Sequence, residues 1–484
     1  LIGRKLIKLL KALNPEEFRK MRKIFQSPIY TNNPDHLKCY DALRRYYPKF
    51  KPLLLKKEVF FDKMWKGQSF DNWKLRNLFR EFTRLTEDYL LLIEQREKVE
   101  RKRQLTRIYG KRNLYDFFER ETKSLLSDLE ALPYRDKAYY LQKAVLNEAW
   151  YFHPLKDKYN TEDTSFENGM DNIDQYFVYA KLKYGIALAS AKKILNISYQ
   201  LRFLEVIERE NKKGFIENNP LLKLFWWSLK LEETLETIEF ATYEQLLFSS
   251  LPQLRKEDQK LLFFHGLNYV IRQANKGTTS FYLVIFEWHK KGIRYELLLE
   301  QGRMDTIHFS NSITYACKVK AYQWAFDFMQ NHQQYLATEN RVFILNYNLA
   351  KWHYYQKEFE QVIPLLLENK VPLAYEFTVR NLMIRVLFEL FLKDVSYLEL
   401  LHNKILNFDK YLRSTQKIPQ DRIAPHQHHL RIVYKLSKLL MENQEKNLIR
   451  DWLLKELNES IPISGKDWLK EKAGELIIRT SFKK

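Results

Sequence analysis

The chain has 484 residues, with 81 Lys or Arg against 60 Asp or Glu for a formal net charge of +21, and 12 Gly and 14 Pro. Gly at about a third of its usual share of roughly 7% argues against turn-dense all-β folds and phosphate-cradling loops, and for long helices on short connections. A content of 45% hydrophobic and 15% aromatic residues fills a core and excludes an intrinsically disordered chain.

The opening LIGRKLIKLLKAL is basic and apolar, but Lys8 and Lys11 interrupt any signal-peptide core, so an amphipathic packing helix is expected. Asn14-Pro15-Glu16-Glu17 is a helix start, with Asn14 as N-cap, Pro15 at the first helical position and two acids at the positive end of the dipole. Ser27-Pro28 closes that helix, Asn33-Pro34-Asp35 opens the next, and Pro48 stops it. A short helix at about 55–66 and the connector GQSFD lead to a long helix from about 71 to 93. At 100° per residue, Leu78, Phe82, Leu85, Tyr89 and Leu92 form one stripe of it, and Arg76, Arg80 and Arg84 lie in a row on the opposite side.

This layout, LLLKKEVFFDKMWKGQSFDNWKLRNLFREFTRLTEDYL over residues 53–90, resembles the helix-turn-helix head of bacterial activators that join a winged helix to a tetratricopeptide (TPR)-like domain. The resemblance implies DNA contact by the Arg row. A winged helix needs a β-hairpin next, whereas EQREKVERKRQLTRIYGKR reads as more charged helix, so a solvated helical hairpin is the competing account. Between Arg101 and Asp116 no acid occurs, and Arg101, Lys102, Arg103, Arg107, Lys111 and Arg112 are six cations in twelve residues. Such a run either tracks a phosphate backbone, with Tyr109 and Tyr115 as base-stacking rings, or solvates a helix face. Residues 1–113 hold 29 basic and 13 acidic residues, a net of +16, and the remainder carries +5. That asymmetry divides the chain into a basic head, 1–113, and a longer part, 114–484.

From 114 onward the pattern is one of successive helical hairpins, with polar breaks at 153–171, 210–220, 275–280 and 414–427. The segment YNLAKWHYYQKEFEQVIPLLLEN (347–369) resembles a degenerate TPR unit. Leu349 and Ala350 stand for its Leu-Gly pair, Phe359-Glu360 opens its second helix, and Lys357 replaces the turn Gly. Tyr322, Ala325 and Met329 repeat the phase, as do Tyr397 and Leu400, which puts small-residue slots at 325, 362 and 400. The opening LNPEEFRKMRKIFQSPIYTNNP and the central YAKLKYGIALASAKKILNISY are similar to an uncharacterised Bacteroidota family of TPR-type helical proteins. The fold expected is all-α, an α-solenoid of TPR-like hairpins with a basic helical head. Such arrays bind peptides along a groove lined by first helices, which nominates Asn346, Tyr347, Lys351 and His353.

The closest glycines, Gly465 and Gly474, are nine apart, so G-x-G-x-x-G, the P-loop and G-x-S-x-G are all absent. His426, His428 and His429 in APHQHHL lack the spacing of helix-borne metal ligands and read as a polar loop-to-helix junction. Cys39 and Cys317 are too few for a disulfide framework and suit a reducing cytoplasm. No uncharged run approaches the roughly 20 apolar residues that span a bilayer. No catalytic residue, cofactor or metal is expected. The expectation is a non-enzymatic cytoplasmic scaffold with a protein or peptide partner, the alternative a nucleic-acid-binding or regulatory protein contacting phosphates through residues 55–112.

Overall fold

The structure, a computed structural model, describes residues 4–50, 56–94, 98–156, 163–195, 200–231, 237–275, 278–368, 370–415, 420–442, 444–458 and 462–478. Leu55, Arg96 and parts of the expected breaks (157–162, 276–277 and 416–419) lie outside them. Contacts divide the chain into two compact units, Leu1–Phe177 and Val178–Lys484. The change in charge at 113/114 falls inside the first unit, at a turn whose flanking helices pack together.

The first unit begins with α1 (Arg4–Ala12), α2 (Pro15–Phe25), α3 (Pro34–Arg44), α4 (Lys57–Met64) and α5 (Asn72–Glu94), which share one core. Asn14 caps α2 as expected: its side chain accepts from the Glu16 and Glu17 amides at 3.0 and 2.9 Å, and Glu17 reaches back to the Asn14 amide at 2.8 Å. Three tyrosine hydroxyls in this core donate to backbone carbonyls, Tyr40 to Phe18, Tyr47 to Leu13 and Tyr89 to Glu17, at 2.7–2.9 Å. Buried phenols are thereby satisfied and pin α3 and α5 to α2. After α5 come α6 (Lys98–Lys111), α7 (Tyr115–Glu130) and α8 (Lys137–Tyr151), then α9 (Ser165–Leu195), within which the division falls. The expected break at 153–171 is shorter than its polarity suggests. Asp163 accepts from the amide and hydroxyl of Ser165 at 3.0 and 2.9 Å, so this polar run is a helix start, and 165–171 is helical.

In the second unit, α10 (Leu204–Asn211), α11 (Pro220–Lys230) and α12 (Thr237–Ser250) precede α13 (Lys256–Asn275) and α14 (Phe281–Arg294). A two-residue ladder follows, β1 (Leu299–Glu300) with β2 (Arg303–Met304), closed by Gln301 and Gly302 at positive φ. It departs from the all-helical expectation only locally. Then come α15 (Thr306–Lys318), α16 (Tyr322–His332), α17 (Arg341–Tyr355), α18 (Phe359–Leu367), α19 (Glu376–Phe391), α20 (Leu398–Ser414), α21 (Gln420–Met441), α22 (Lys446–Asn458) and α23 (Lys466–Ile478). From α13 to α23 every helix packs on its sequence neighbour, and α15 also packs on α17.

The turns after α14, α15 and α17 share one device. Glu296, Lys320 and Lys357 take φ of 54°, 62° and 65°, and the next amide reaches back to Gly292, Ala316 or His353. Ala325 and Val362 are fully buried, as their slots require, but Leu400 is 42% exposed and Leu401 beside it is buried. The short 3₁₀ turn Val395–Tyr397 ahead of α20 moves the third slot on by one residue. His426, His428 and His429 lie within α21 rather than at a junction, because Ile423, Leu430 and His429 itself are buried on its inner face and draw 420–427 into the helix.

Candidate functional site

Among the described residues no helix is long and apolar enough to cross a membrane, and no three His, Cys, Asp or Glu converge as metal ligands. What remains is charge and where it points.

On α5, Leu78, Phe82, Leu85 and Tyr89 are buried, and Arg76, Arg80 and Arg84 are exposed, as the helical period requires. The three guanidiniums have no carboxylate partner among the described residues. Glu87, the acid on their face, is engaged by Lys5 of α1 at 2.5 Å. The row borders an open groove of about 770 Å³, joined by Lys57 and by Trp73, whose side chain is 73% exposed. Buried His36 of α3 bonds Thr31 at 2.7 Å and Glu81 of α5 at 3.1 Å. Burial pulls the His36 pKa down, Glu81 opposes that, and the Arg84 charge adds to the lowering.

The six cations of the next helix separate into two sets. Lys102 turns inward to Ser124 and Asp128 of α7, at 2.7 and 2.5 Å, and Arg103 bonds Gln142 of α8 at 2.5 Å. Both fasten α6 to its neighbours. Arg101, Arg107, Lys111 and Arg112 are exposed. The two tyrosines proposed for stacking are packed instead, Tyr109 on Phe117 and Tyr115 on His153, at 5.5 and 4.9 Å between ring centres.

Of the four candidate groove residues on α17, the fold brings two together. Tyr347 and Lys351, one turn apart, face inward. Tyr347 stacks with Phe343 and meets Tyr375 edge-on, and burial pushes its hydroxyl up to about 12. Lys351 donates to the Ser310 carbonyl at 3.2 Å and the Asn348 side chain at 3.4 Å. Burial pulls its amine down to about 8, with the Lys318 charge adding to the effect. Asn346 and His353 point elsewhere, to Glu368 at 2.6 Å and Glu358 at 2.7 Å. Trp352 donates to the Tyr322 carbonyl at 2.9 Å and belongs to hairpin packing.

Around Lys351 the sequence reading missed several residues. Lys318 lies 4.0 Å over the ring of Tyr282 on α14, and Tyr282 donates to Asp467 of α23 at 3.3 Å. Arg385 of α19 lies 5.7 Å over the ring of Trp468, and its Nε is sealed from solvent with no partner. Trp468 and Lys472 both reach Glu389, at 3.1 and 2.6 Å. Burial alone would lower the Lys472 pKa, but Glu389 and Glu475 outweigh it and raise it. Helix α23 thus touches α14 through Asp467 and α19 through Trp468 and Lys472. One signal was available: Lys318, Lys351 and Arg385 recur at spacings of 33 and 34 residues, close to the roughly 34 of a TPR unit. Comparison of the chain with protein-family models, curated proteins and solved structures gives no match.

Proposed function

We propose that this chain is a non-enzymatic cytoplasmic interaction scaffold, an α-solenoid of TPR-like hairpins whose basic head holds an anionic partner. The observation that carries the reading is the outward row Arg76, Arg80 and Arg84, without carboxylate partners and bordering an open groove. A cation row left unpaired at neutral pH attracts anionic surface and speeds encounter. The recurrence of one turn geometry at Glu296, Lys320 and Lys357, and the unbroken neighbour packing from α13 to α23, support the array. Arg101, Arg107, Lys111 and Arg112 extend the same field, whereas Lys102 and Arg103 serve the fold.

A second reading, binding of single-stranded nucleic acid, is favoured by Trp73. An exposed indole beside a cation row is what base stacking with phosphate contact requires. Binding of a polyglutamate peptide and of an oligothymidylate, each titrated with salt, separates the two. The scaffold reading expects tighter binding of the peptide; the nucleic-acid reading expects the reverse, with a further loss in Trp73→Ala. For the oligonucleotide, replacing Arg76, Arg80 and Arg84 by Ala should flatten the log–log salt slope by about 2, at roughly 0.7 per phosphate contact. Affinities unchanged by the triple substitution would sink both.

A further inference from the structure

Helix α18 has 9 residues, against 16 in α19 and 17 in α20. Where it ends, an open cleft of about 480 Å³ is lined by residues of all three helices and shares none with the four nominated on α17. Its floor is apolar. Leu366 ends α18, Val371 follows it, and Val379, Met383 and Ile384 come from α19. Leu367 also lines the cleft and is 64% exposed. A lone exposed leucine is ordinary on a folded surface. This one continues a recessed apolar floor, which is where a second apolar surface gains by being covered.

The polar lining is unbalanced. Lys370 is exposed and Lys404 of α20 is half-buried, and neither has a carboxylate partner among the described residues. The acid that lines the cleft with them, Glu376, holds Arg380 at 2.9 Å, and Arg380 lies 4.4 Å over the ring of Tyr411. Glu368, two residues before Lys370, is turned to Asn346 at 2.6 Å. Leu400, one turn before Lys404 on the same face of α20, is 42% exposed. The cleft therefore offers an apolar floor and two unpaired ammonium groups from different elements.

We infer that this cleft docks an acidic amphipathic helix of a partner protein. Its walls are helical, with backbone groups already bonded, so they cannot satisfy the backbone of an extended peptide, whereas a helix arrives with its own backbone satisfied. Apolar side chains at i, i+3, i+4 and i+7 fill the floor and cover Leu367, and acids on the flanks meet Lys370 and Lys404. Burial supplies most of the affinity, and the two ammonium groups supply selection and encounter rate. A basic helix is rejected by the same two charges. An alkyl carboxylate would answer only one of them. The site belongs to the second unit and does not rest on the reading of the basic head.

The test uses the full chain with Arg76, Arg80 and Arg84 replaced by Ala, so that the head cannot supply the attraction. Fluorescence anisotropy follows three labelled, helix-stabilised peptides. The first carries Leu at i, i+3, i+4 and i+7 with Glu on the flanks, the second scatters the same residues round the helix, and the third has Lys for Glu. The first should bind about tenfold or more tighter than either of the others. Leu367→Asp should weaken it about tenfold, and Lys370→Glu with Lys404→Glu should make the third peptide the better ligand. The comparison of peptides needs no substitution in the cleft and decides alone if a cleft variant fails to fold. Failure of the first peptide to bind, or equal binding of the first and second, would overturn the inference while leaving the head, tested with its arginines intact, unaffected. So would an affinity indifferent to Leu367→Asp in a folded variant. Dodecanoate displacing the first peptide, or a dimer of the chain dissolved by Leu367→Asp, would assign the cleft to another occupant and overturn it equally.

Discussion

Arg76, Arg80 and Arg84 of the first unit stand in water, whereas Lys318, Lys351 and Arg385 of the second are partly enclosed, and among the described residues no member of either set forms an ion pair. Solvation makes the outer set inexpensive and exchangeable, so it is suited to a partner that comes and goes with salt. Enclosure makes the inner set a standing electrostatic cost that the fold retains. A net charge of +21 therefore describes two physically different things, and substitutions should separate them.

The largest separation is expected where an enclosed charge already has its partner. Lys472 and Glu389 are 4% and 7% exposed and 2.6 Å apart. Lys472→Met leaves the Glu389 carboxylate buried and uncompensated, and should cost about 3–5 kcal/mol. The double change Lys472→Met with Glu389→Leu should recover most of that loss. In the head, Arg22 and Asp41 form an exposed two-bond pair at 3.1 and 3.2 Å, and Arg22→Met should barely move the urea midpoint. Equal losses from Lys472→Met and Arg22→Met would mean that the second unit is wetter than its packing implies.

Acid should discriminate next. His289 is fully buried, its Nδ1 bonded to the Ile285 carbonyl at 2.8 Å and its Nε2 unpartnered, and burial pulls its pKa down to about 4. Between pH 6.5 and 4 the unfolded chain takes up a proton that the folded chain refuses. Stability is therefore intact above pH 6.5 and falls as pH drops, by about 3 kcal/mol at the bottom of the window. His36 in the head is also lowered, but Glu81 opposes its burial, so its acid limb should be shallower. Urea unfolding from pH 7 to 4 should show His289→Leu removing more of the pH dependence than His36→Gln.

A smaller effect has the opposite sign. Lys351 is lowered to about 8 from an ordinary 10.5, so below pH 8 it is charged in both states and the full cost of enclosing it is present. That cost is relieved as pH rises from 8 towards 10.5. Lys351→Met should therefore stabilise the protein at pH 7 by about 1–2 kcal/mol, with the gain shrinking towards pH 10. Arg80→Ala on the open face of α5 should stay within about 0.5 kcal/mol at any of these pH values.

How much of this was legible follows from the distance over which each feature is decided. The Asn14 cap and the two faces of α5 are settled within one or two helical turns, so their residues announce them. Lys102 and Arg103 sit in the same charge run as Arg101 and Arg107, and only the approach of α7 and α8 sorts inward from outward. The placing of Lys318 on Tyr282 and of Arg385 on Trp468 depends on helices far apart in the sequence. Sequence spacing hinted at them through the 33- and 34-residue recurrence, while the small-residue slots pointed instead to the packing of second helices. His429 was legible as a histidine cluster but not as a fully buried side chain, and one of the rings it meets, Trp468 at 5.7 Å, comes some forty residues later.

The smallest expected effect tests whether the shared turn is tuned alike in both units. Lys357 takes φ 65° after α17, and Asn113 takes φ 56° after α6, with the Leu114 amide reaching back to the Tyr109 carbonyl at 2.9 Å. A left-handed residue with a Cβ costs about 1 kcal/mol relative to glycine, less for asparagine, whose short polar side chain tolerates the region. Glycine also loses more freedom on folding, which trims the gain. Lys357→Gly should therefore stabilise by about 0.5–1 kcal/mol and Asn113→Gly by a few tenths at most. If Lys357→Gly destabilises instead, the long Lys357 side chain contributes contacts to the α17–α18 hairpin that outweigh its backbone strain, and the two turns resemble each other in geometry alone.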